Sequence, residues 1–537
     1  MSKNNEVKSS KYNANAYFNL PNPGLKSYFD KVENGQPDIY DTPFARNNGG
    51  VQRVLADWQP ILEKHLDRWP SLMEFENDLK SKVGPMSVMK PLSQRRDDIG
   101  AYYKCVNSES QPLSDKAILA VVNKFKPLKG MSLRSIDSTV DKMRKSTNSG
   151  SPYYTKRRNV VDKTKPDAKR LEYGVRGSDD RDYCAILGWR GQEGGPNPED
   201  VKQRVVWMMP FAVNMQELRC YQPLVEQSQR FDLVPAWVSM ESVDASITRL
   251  FDTKGANDLV ICTDFSKFDQ HFNKDMQDAA KSILQQLLNK SGDSRRWLEN
   301  IFPVKYDIPL AVSMTEMYYG NHGMASGSGG TNADETLAHM ALQFEAAQAK
   351  HQRLNPNSMC LGDDGVLSFP GITVEDVMQT YTRHGLEMNT SKQYASTQDC
   401  VYLRRWHHAN YRVDGVCVGV YSTYRALGRL CEQERYYDPD KWSAKAVALR
   451  QLSILENIKN HPAKEDFVEF CMKRDKFRLG LDIPGFLENI EKEAQDAIEL
   501  MPDFLGYTKS AQKAQFSRKK ETGIEDWWVV KYLKSLL

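Results

Sequence analysis

The sequence lacks the marks of a membrane protein, a secreted scaffold or a zinc protein. Its 537 residues contain no run of about 18 apolar residues, so hydropathy offers no membrane-spanning helix. The nine cysteines, an odd number, are scattered from Cys105 to Cys471 without a C-x-x-C pair. Neither a disulfide framework nor a thiolate zinc site is supported. Several cysteines lie in apolar runs, such as Cys262 in LVICT and Cys360 in SMCLG, where cysteine behaves as a small buried hydrophobe. The histidines show no H-E-x-x-H spacing, and adjacent His407 and His408 would point different ways in any regular element. Internal repeats and low-complexity tracts are missing too. The opening stretch, MSKNNEVKSSKYNANAYF, is polar and carries no apolar signal core, which leads us to expect a reducing compartment, the cytosol.

Excess charge of one sign is also nearly absent, at +3 overall. Its distribution says more. Between Lys142 and Arg204 stand 15 Lys/Arg against 9 Asp/Glu, a local +6 that leaves the remainder at −3. A basic segment on a near-neutral body is the footprint of a polyanion site, or otherwise a solvated loop-rich face. Hydrophobic residues at 40% and charged residues at 27% fit an ordinary globular chain, and the length suggests roughly three to four domains.

Residues 1–50 are rich in Asn, Gly and Pro and read as an extended arm. From Val51 onward Leu55, Trp58, Leu62 and Leu66 recur at helical spacing. Residues 145–200 are broken by Gly, Pro and charge and read as long loops. Over 255–425 short apolar strands alternate with helices. Leu259–Thr263 reads as a strand ending on Asp264. Ala333–Ala349 reads as a helix with Leu337, Met340, Ala341 and Phe344 on one stripe. Ser358–Leu361 and Val366–Phe369 flank Gly362-Asp363-Asp364-Gly365, a hairpin signature. Beyond 425 the pattern is helical, with Leu487, Ile490, Ala494 and Ala497 on one face and Trp527, Trp528 and Tyr532 in the tail.

The sharpest feature is acid at strand ends. Asp264, Asp363 and Asp364 converging on one point would repel one another unless cations neutralised them. Hard oxygen ligands of this kind suit Mg²⁺ or Mn²⁺ beside substrate phosphates. Two such ions support an in-line phosphoryl displacement. Taken alone, Asp363-Asp364-Gly365 is also an ordinary turn.

The order of motifs resembles that of the viral RNA-dependent RNA polymerases. Asp264-Phe265-Ser266-Lys267-Phe268-Asp269 is similar to motif A, Ser326-Gly327-Ser328-Gly329-Gly330-Thr331-Asn332 to motif B, and Gly362-Asp363-Asp364 to motif C. Gly385–Lys392 resembles motif D and Tyr402-Leu403-Arg404-Arg405 motif E. Upstream, Lys202–Trp207 resembles motif F and Thr147–Pro152 motif G. The series covers about half the chain. Its forms SGSGGTN and RVVW look most like the polymerases of picobirnaviruses, small double-stranded RNA viruses.

The resemblance implies an α+β right-hand polymerase with an antiparallel palm sheet and a helical thumb. It implies an N-terminal arm at 1–50, fingers at 51–254, a palm at 255–425 with a fingers insert near 275–320, and a thumb at 426–537. Asp264, Asp363 and Asp364 become the ligands of two divalent ions, Mg²⁺ or Mn²⁺, and Lys392 a candidate proton donor to the leaving pyrophosphate. Lys202 and Arg204 would grip the triphosphate, with Arg190 as a helper, while Asp269 would sense the ribose 2′-hydroxyl. Ser326, Gly327, Thr331 and Asn332 would position nucleotide and template. Relatives often carry Asn nine positions after the motif B serine, where Glu335 stands here, so the partner of Asp269 is left open. Ser149, Gly150, Pro152, Lys156, Arg157 and Arg158, beside Tyr153 and Tyr154, would meet template RNA, and Arg404 and Arg405 the product strand. RNA template and product and NTPs are the expected partners, with a capsid interior around a monomer and no membrane. The expected locations are the virion interior and the host cytoplasm. Two other readings stay open at this stage: a reverse transcriptase-like enzyme, though Leu361-Gly362 departs from the Y-x-D-D setting, and a non-catalytic RNA-binding or packaging protein.

Overall fold

The computed structural model describes residues 7–178, 180–500 and 523–537, without the side chains of 498–500. Residues 1–6 of the expected arm and 501–522 of the expected C-terminal helical region lie outside the described residues. The chain divides into two compact units. The first comprises residues 1–36, 90–189 and 205–402, and the second residues 37–89, 190–204 and 403–537.

In the first unit the helices that matter most for the site are α1 (Asp115–Lys124), α2 (Phe211–Arg230) and α3 (Thr331–Gln348). A four-stranded sheet is built from β1 (Val260–Thr263), β2 (Met359–Leu361), β3 (Asp364–Leu367) and β4 (Tyr394–Ser396), in the order β2-β3-β1-β4 with every pairing antiparallel. β1 is buried throughout, as are Met359, Cys360, Val366 and Leu367. Continuous apolar runs of this kind are what a sheet covered on both faces requires. The turn is tighter than the sequence suggested. Leu361 pairs with Asp364, so only Gly362 and Asp363 lie outside the ladder and Asp364-Gly365 belong to the strand. Gly362 takes φ 58°, the left-handed value a two-residue hairpin demands at its first central position.

α3 locks this hairpin from below. Gln343 Nε2 donates to the carbonyls of Met359 (2.8 Å) and Val366 (3.5 Å). Thr336 Oγ1 accepts from the N–H of Gly362 at 2.9 Å, and the His339 ring lies 2.8 Å from its carbonyl. Burial holds His339 neutral, pushing its pKa down to about 4.

Two expectations change. The N-terminal region is not a bare arm: Pro23–Asn34 is a helix capped by Asn22, whose side chain accepts from Leu25 N at 3.1 Å. Leu25 and Phe29 join Phe18, Cys184, Ile186, Ala311 and Met317 in one apolar cluster. Asn before Pro is a start signal that the region's polar composition hid. The stretch 145–200 is likewise more regular than read, with a helix at Val161–Leu171 and a strand at Ala185–Gln192. That helix buries Thr164, Asp167, Ala168 and Leu171, a helical stripe masked by six charged residues and by Pro166.

The described residues of the second unit beyond 433 are mostly helical, in line with the pattern beyond 425, and short strands lie before them. Trp58 is fully buried between Phe467 and Phe470, with ring centroids 5.0 and 5.2 Å away. Buried Glu76 accepts from the N–H groups of Thr423 (2.8 Å) and Tyr424 (3.3 Å), satisfying the first turn of the helix Thr423–Cys431 from a distant segment. All nine cysteines are free thiols, and eight of them are buried. No helix among the described residues is long and apolar enough to cross a membrane.

Candidate active site

Strand register brings the acids together. Thr263 lies opposite Gly365 in the β1–β3 ladder, so one step further along Asp264 falls opposite Asp364. Neighbouring antiparallel strands are about 5 Å apart, and side chains of directly opposed residues project to the same face. Asp363 occupies the adjoining turn. Asp264 and Asp363 are exposed and Asp364 half-buried. The backbone of Asp264 is pinned by a side chain that the sequence did not single out. Gln393 Oε1 accepts from its N–H at 3.0 Å, and Gln393 Nε2 donates to its carbonyl at 2.7 Å. Lys392, one residue earlier, is exposed at the end of the turn Thr390–Lys392.

Among the described residues no three His, Cys, Asp or Glu side chains are grouped closely enough to hold a metal ion by themselves. The acids present instead fit the open kind of Mg²⁺ or Mn²⁺ site, in which one or two carboxylates are completed by water and substrate phosphate. The strand ends fix the direction of Asp264 and Asp364, and a fixed hard-oxygen donor is what such a site needs.

Asp269 sits in the short helix Phe268–His271, and its side chain hydrogen-bonds Glu335. The glutamate on α3, where relatives often carry Asn, is thus in contact with Asp269. It is buried, and only 3.6 Å separates its Oε2 from where a Cβ on Gly362 would stand. Burial, followed by the neighbouring charges of Asp269 and Asp363, raises its carboxyl well above the usual range, so it carries the proton in that hydrogen bond. The motif A loop also touches the approach to the glycine loop, since Met324 N donates to the Asp269 carbonyl at 2.9 Å.

The glycine loop 326–330 is held rigidly. Ser326 Oγ donates to Val205 O at 2.9 Å. A Cβ on Gly327 would stand 1.7 Å from Trp207 O, so no other residue fits there. Ser328 Oγ donates to the buried carboxylate of Glu217 on α2, which also accepts from Gly329 N at 3.2 Å and Asn214 Nδ2 at 3.1 Å. Thr331 Oγ1 turns back to the carbonyls of Ala325 and Ser328. Asn332 is exposed, and its Oδ1 accepts from Trp237 Nε1 at 2.7 Å rather than capping the helix. Beneath the loop lies a fully buried ion pair, Lys305 Nζ to Asp334 Oδ2 at 3.0 Å, with Tyr221 and Tyr306 hydroxyls donating to the same carboxylate at 2.7 and 2.6 Å. Sequence reasoning missed this pair because its members are far apart and neither belongs to a motif.

The basic segment is mixed. Ser149 and Pro152 are buried, with Ser149 N bonded to Thr155 O at 2.7 Å, and Gly150 takes φ 65° against Met209 O. Arg157 turns inward to Asn214 Oδ1 (2.8 Å) and over the Phe211 ring, and burial pushes its pKa down to about 10. Lys156 and Arg158 are exposed. Tyr153 and Tyr154 are half-buried.

In the second unit, Lys202 and Arg204 both point to the exposed side of their strand, and Arg204 Nε donates to Gln192 Oε1 at 3.0 Å. Arg404 has its pKa lowered by desolvation and then by Arg425, with Arg204 and Arg429 contributing. Two residues singled out from separate motifs, Arg204 and Arg404, thus share one basic cluster. At its centre is buried Glu193, whose carboxyl burial raises and the arginines pull back down. Arg190 pairs with Glu434 at 3.0 Å, and Arg405 donates to Gly419 O at 3.1 Å.

The chain is similar to known proteins along most of its length. Residues 61–414 match the family model described as viral RNA-dependent RNA polymerase. A curated protein of Human picobirnavirus (strain Human/Thailand/Hy005102/-), described as a potential RNA-dependent RNA polymerase, is 59% identical over 524 residues, covering 97% of this chain and 98% of that one. The crystal structure of the RNA-dependent RNA polymerase of a human picobirnavirus superposes with a TM-score of 0.89 at 56% identity, covering 98% of this chain and 99% of that one. An insertion-loop deletion mutant of such an enzyme gives 0.88 at 55% identity, with the same coverage.

Proposed function

The chain belongs to the viral RNA-dependent RNA polymerases, enzymes with an α+β right-hand fold, and from this premise we propose that it copies viral RNA by two-metal nucleotidyl transfer, for genome replication and transcription. The observation that carries the mechanism is the register that sets Asp264 opposite Asp364 beside the Gly362-Asp363 turn.

Asp264, Asp363 and Asp364 hold the divalent ions, Mg²⁺ or Mn²⁺. When bound, such ions lower the pKa of the attacking 3′-hydroxyl and neutralise charge on the leaving phosphate oxygens. Gln393 keeps Asp264 aimed by gripping both of its backbone polar groups. Asp269 accepts from the ribose 2′-hydroxyl with the oxygen that Glu335 leaves free, which favours ribonucleotides. The glycine loop offers its close-packed backbone to nucleotide and template, anchored through Ser326, Ser328 and Thr331. Asn332 lies at its exposed end.

Lys392 delivers a proton toward pyrophosphate. Lys202 and Arg204 hold the triphosphate, supported by the basic cluster around Glu193, and Arg404 and Arg405 lie along the product strand. Lys156 and Arg158 supply template charge, while Ser149, Gly150, Pro152 and Arg157 shape that surface. The corresponding regions are an arm at 1–50, fingers at 51–254, a palm at 255–425 with an insert near 275–320, and a thumb at 426–537. The enzyme works as a monomer inside the capsid and in the host cytoplasm.

Primer extension on a defined RNA template tests the core of this reading. Asp264→Ala and Asp363→Ala are each expected to abolish incorporation at any Mg²⁺ or Mn²⁺ concentration while leaving the melting temperature unchanged. Near-normal synthesis by either variant would refute the metal assignment.

A further inference from the structure

Away from the acids, α1, the C-terminal half of α3 and the segment after it enclose a cavity of about 720 Å³. That is within the usual range for small-molecule sites. Its apolar wall includes Met340, Phe344 and Leu354, and around it stand Lys116, Lys124, His351 and Arg353. No lining residue is acidic. The side chains of these four basic residues make no hydrogen bond or ion pair with any other described residue.

Lys124 is the most telling of them. It is half-buried, its surroundings desolvate the ammonium and push its pKa down, and the nearby carboxylate of Asp232 offsets this only in part. A cation removed from water with no ion-pair partner in contact is costly, and an anionic ligand relieves that cost. Lysines on α1 beside an arginine fork on the facing segment suit a chain of phosphates. The apolar wall beside them suits a nucleobase.

We propose that this cavity is a second, non-catalytic nucleotide site, which takes a nucleoside triphosphate with its phosphates on Lys116, Lys124 and Arg353 and its base against Met340 and Phe344. The site is distinct from the acids at the β1 and β3 strand ends and does not depend on the roles proposed for them.

The test uses the full-length chain carrying Asp363→Ala, in EDTA, with 8-azido-ATP as photoprobe and peptide mapping by mass spectrometry. Labelling of a peptide within 340–354 that excess ATP suppresses is expected. Lys124→Met and Arg353→Ala should each weaken that labelling at least tenfold. Arg353 is exposed, so its variant keeps the experiment decisive if Lys124→Met fails to fold. Labelling confined to other regions, or unaffected by Arg353→Ala, would overturn the proposal. Inorganic tripolyphosphate competing as well as ATP would reduce the site to an anion sink and refute the nucleotide. A 5′-hydroxyl RNA oligomer competing better than ATP would make it a strand site and refute the proposal equally.

Discussion

Glu335 shows how its surroundings set the protonation of a buried carboxyl. Placed beside Asp269 and behind the Gly362 turn, it donates a hydrogen bond only because its surroundings keep it neutral. Glu335→Gln retains a donor of nearly the same shape, and its preference for NTPs over dNTPs should stay near wild type. Glu335→Ala removes the donor, and the ratio of kcat/KM values should fall about tenfold, the worth of one hydrogen bond to a charged group. Steady-state incorporation of each nucleotide checks both. The acids themselves stood out in the sequence through their surroundings: Asp264 ends an apolar run with Asp269 five residues on, and Asp363 and Asp364 lie between two glycines. Gln393 and Glu217 were not, since a glutamine and a glutamate that grip backbone and hydroxyl groups have no spacing rule and acquire meaning only from contacts 129 and 111 residues away.

Among the elements, the decisive coupling is between the β2–β3 hairpin and α3, whose Thr336, His339 and Gln343 all bond the hairpin backbone. The sequence marked both elements, because alternating apolar strands and a helical stripe are local patterns. It could not mark their contact. The Lys305–Asp334 pair under the glycine loop belongs to this scale too. Lys305→Met strands a buried carboxylate, so it should destabilise the protein by about 3–5 kcal/mol in urea unfolding. The two-strand ladder pairing Glu432 with Asp41 adds a pH dependence. Burial, then the charge of Asp41 and a hydrogen bond to it, pushes the Glu432 carboxyl up to about 7. With the folded pKa above the unfolded one, the folded state holds the extra proton. Its stabilisation is complete below about pH 4.5, falls as pH rises and is gone above about pH 7. Glu432→Gln should therefore melt higher than wild type at pH 8 and equal to it at pH 5 in scanning calorimetry.

For the whole molecule, function depends on where a nearly neutral chain puts its charge. RNA affinity should fall steeply with salt, and replacing exposed Arg158 with Ala should flatten the slope of log K against log salt by about 0.7, the value for one phosphate contact on a single strand. Filter binding across a salt series measures it. Arg157→Ala should act through stability instead, because that side chain is engaged with Asn214 and Phe211. The sequence could not separate these neighbours, since three consecutive basic residues look alike until the backbone assigns one of them inward. It also read the first 50 residues and the stretch 145–200 as irregular, because their helices are short and their polar or charged composition blurs the periodicity that longer helices display.

The glycine at 327, pressed against the Trp207 carbonyl, has a genetic consequence. Every nucleotide change in the first or second position of a glycine codon replaces the glycine with another amino acid or a stop. If the proposed copying of viral RNA extends to the strand that encodes this chain, each such copying error yields a template whose encoded polymerase cannot pack its glycine loop, and the fault vanishes with the lineage that made it.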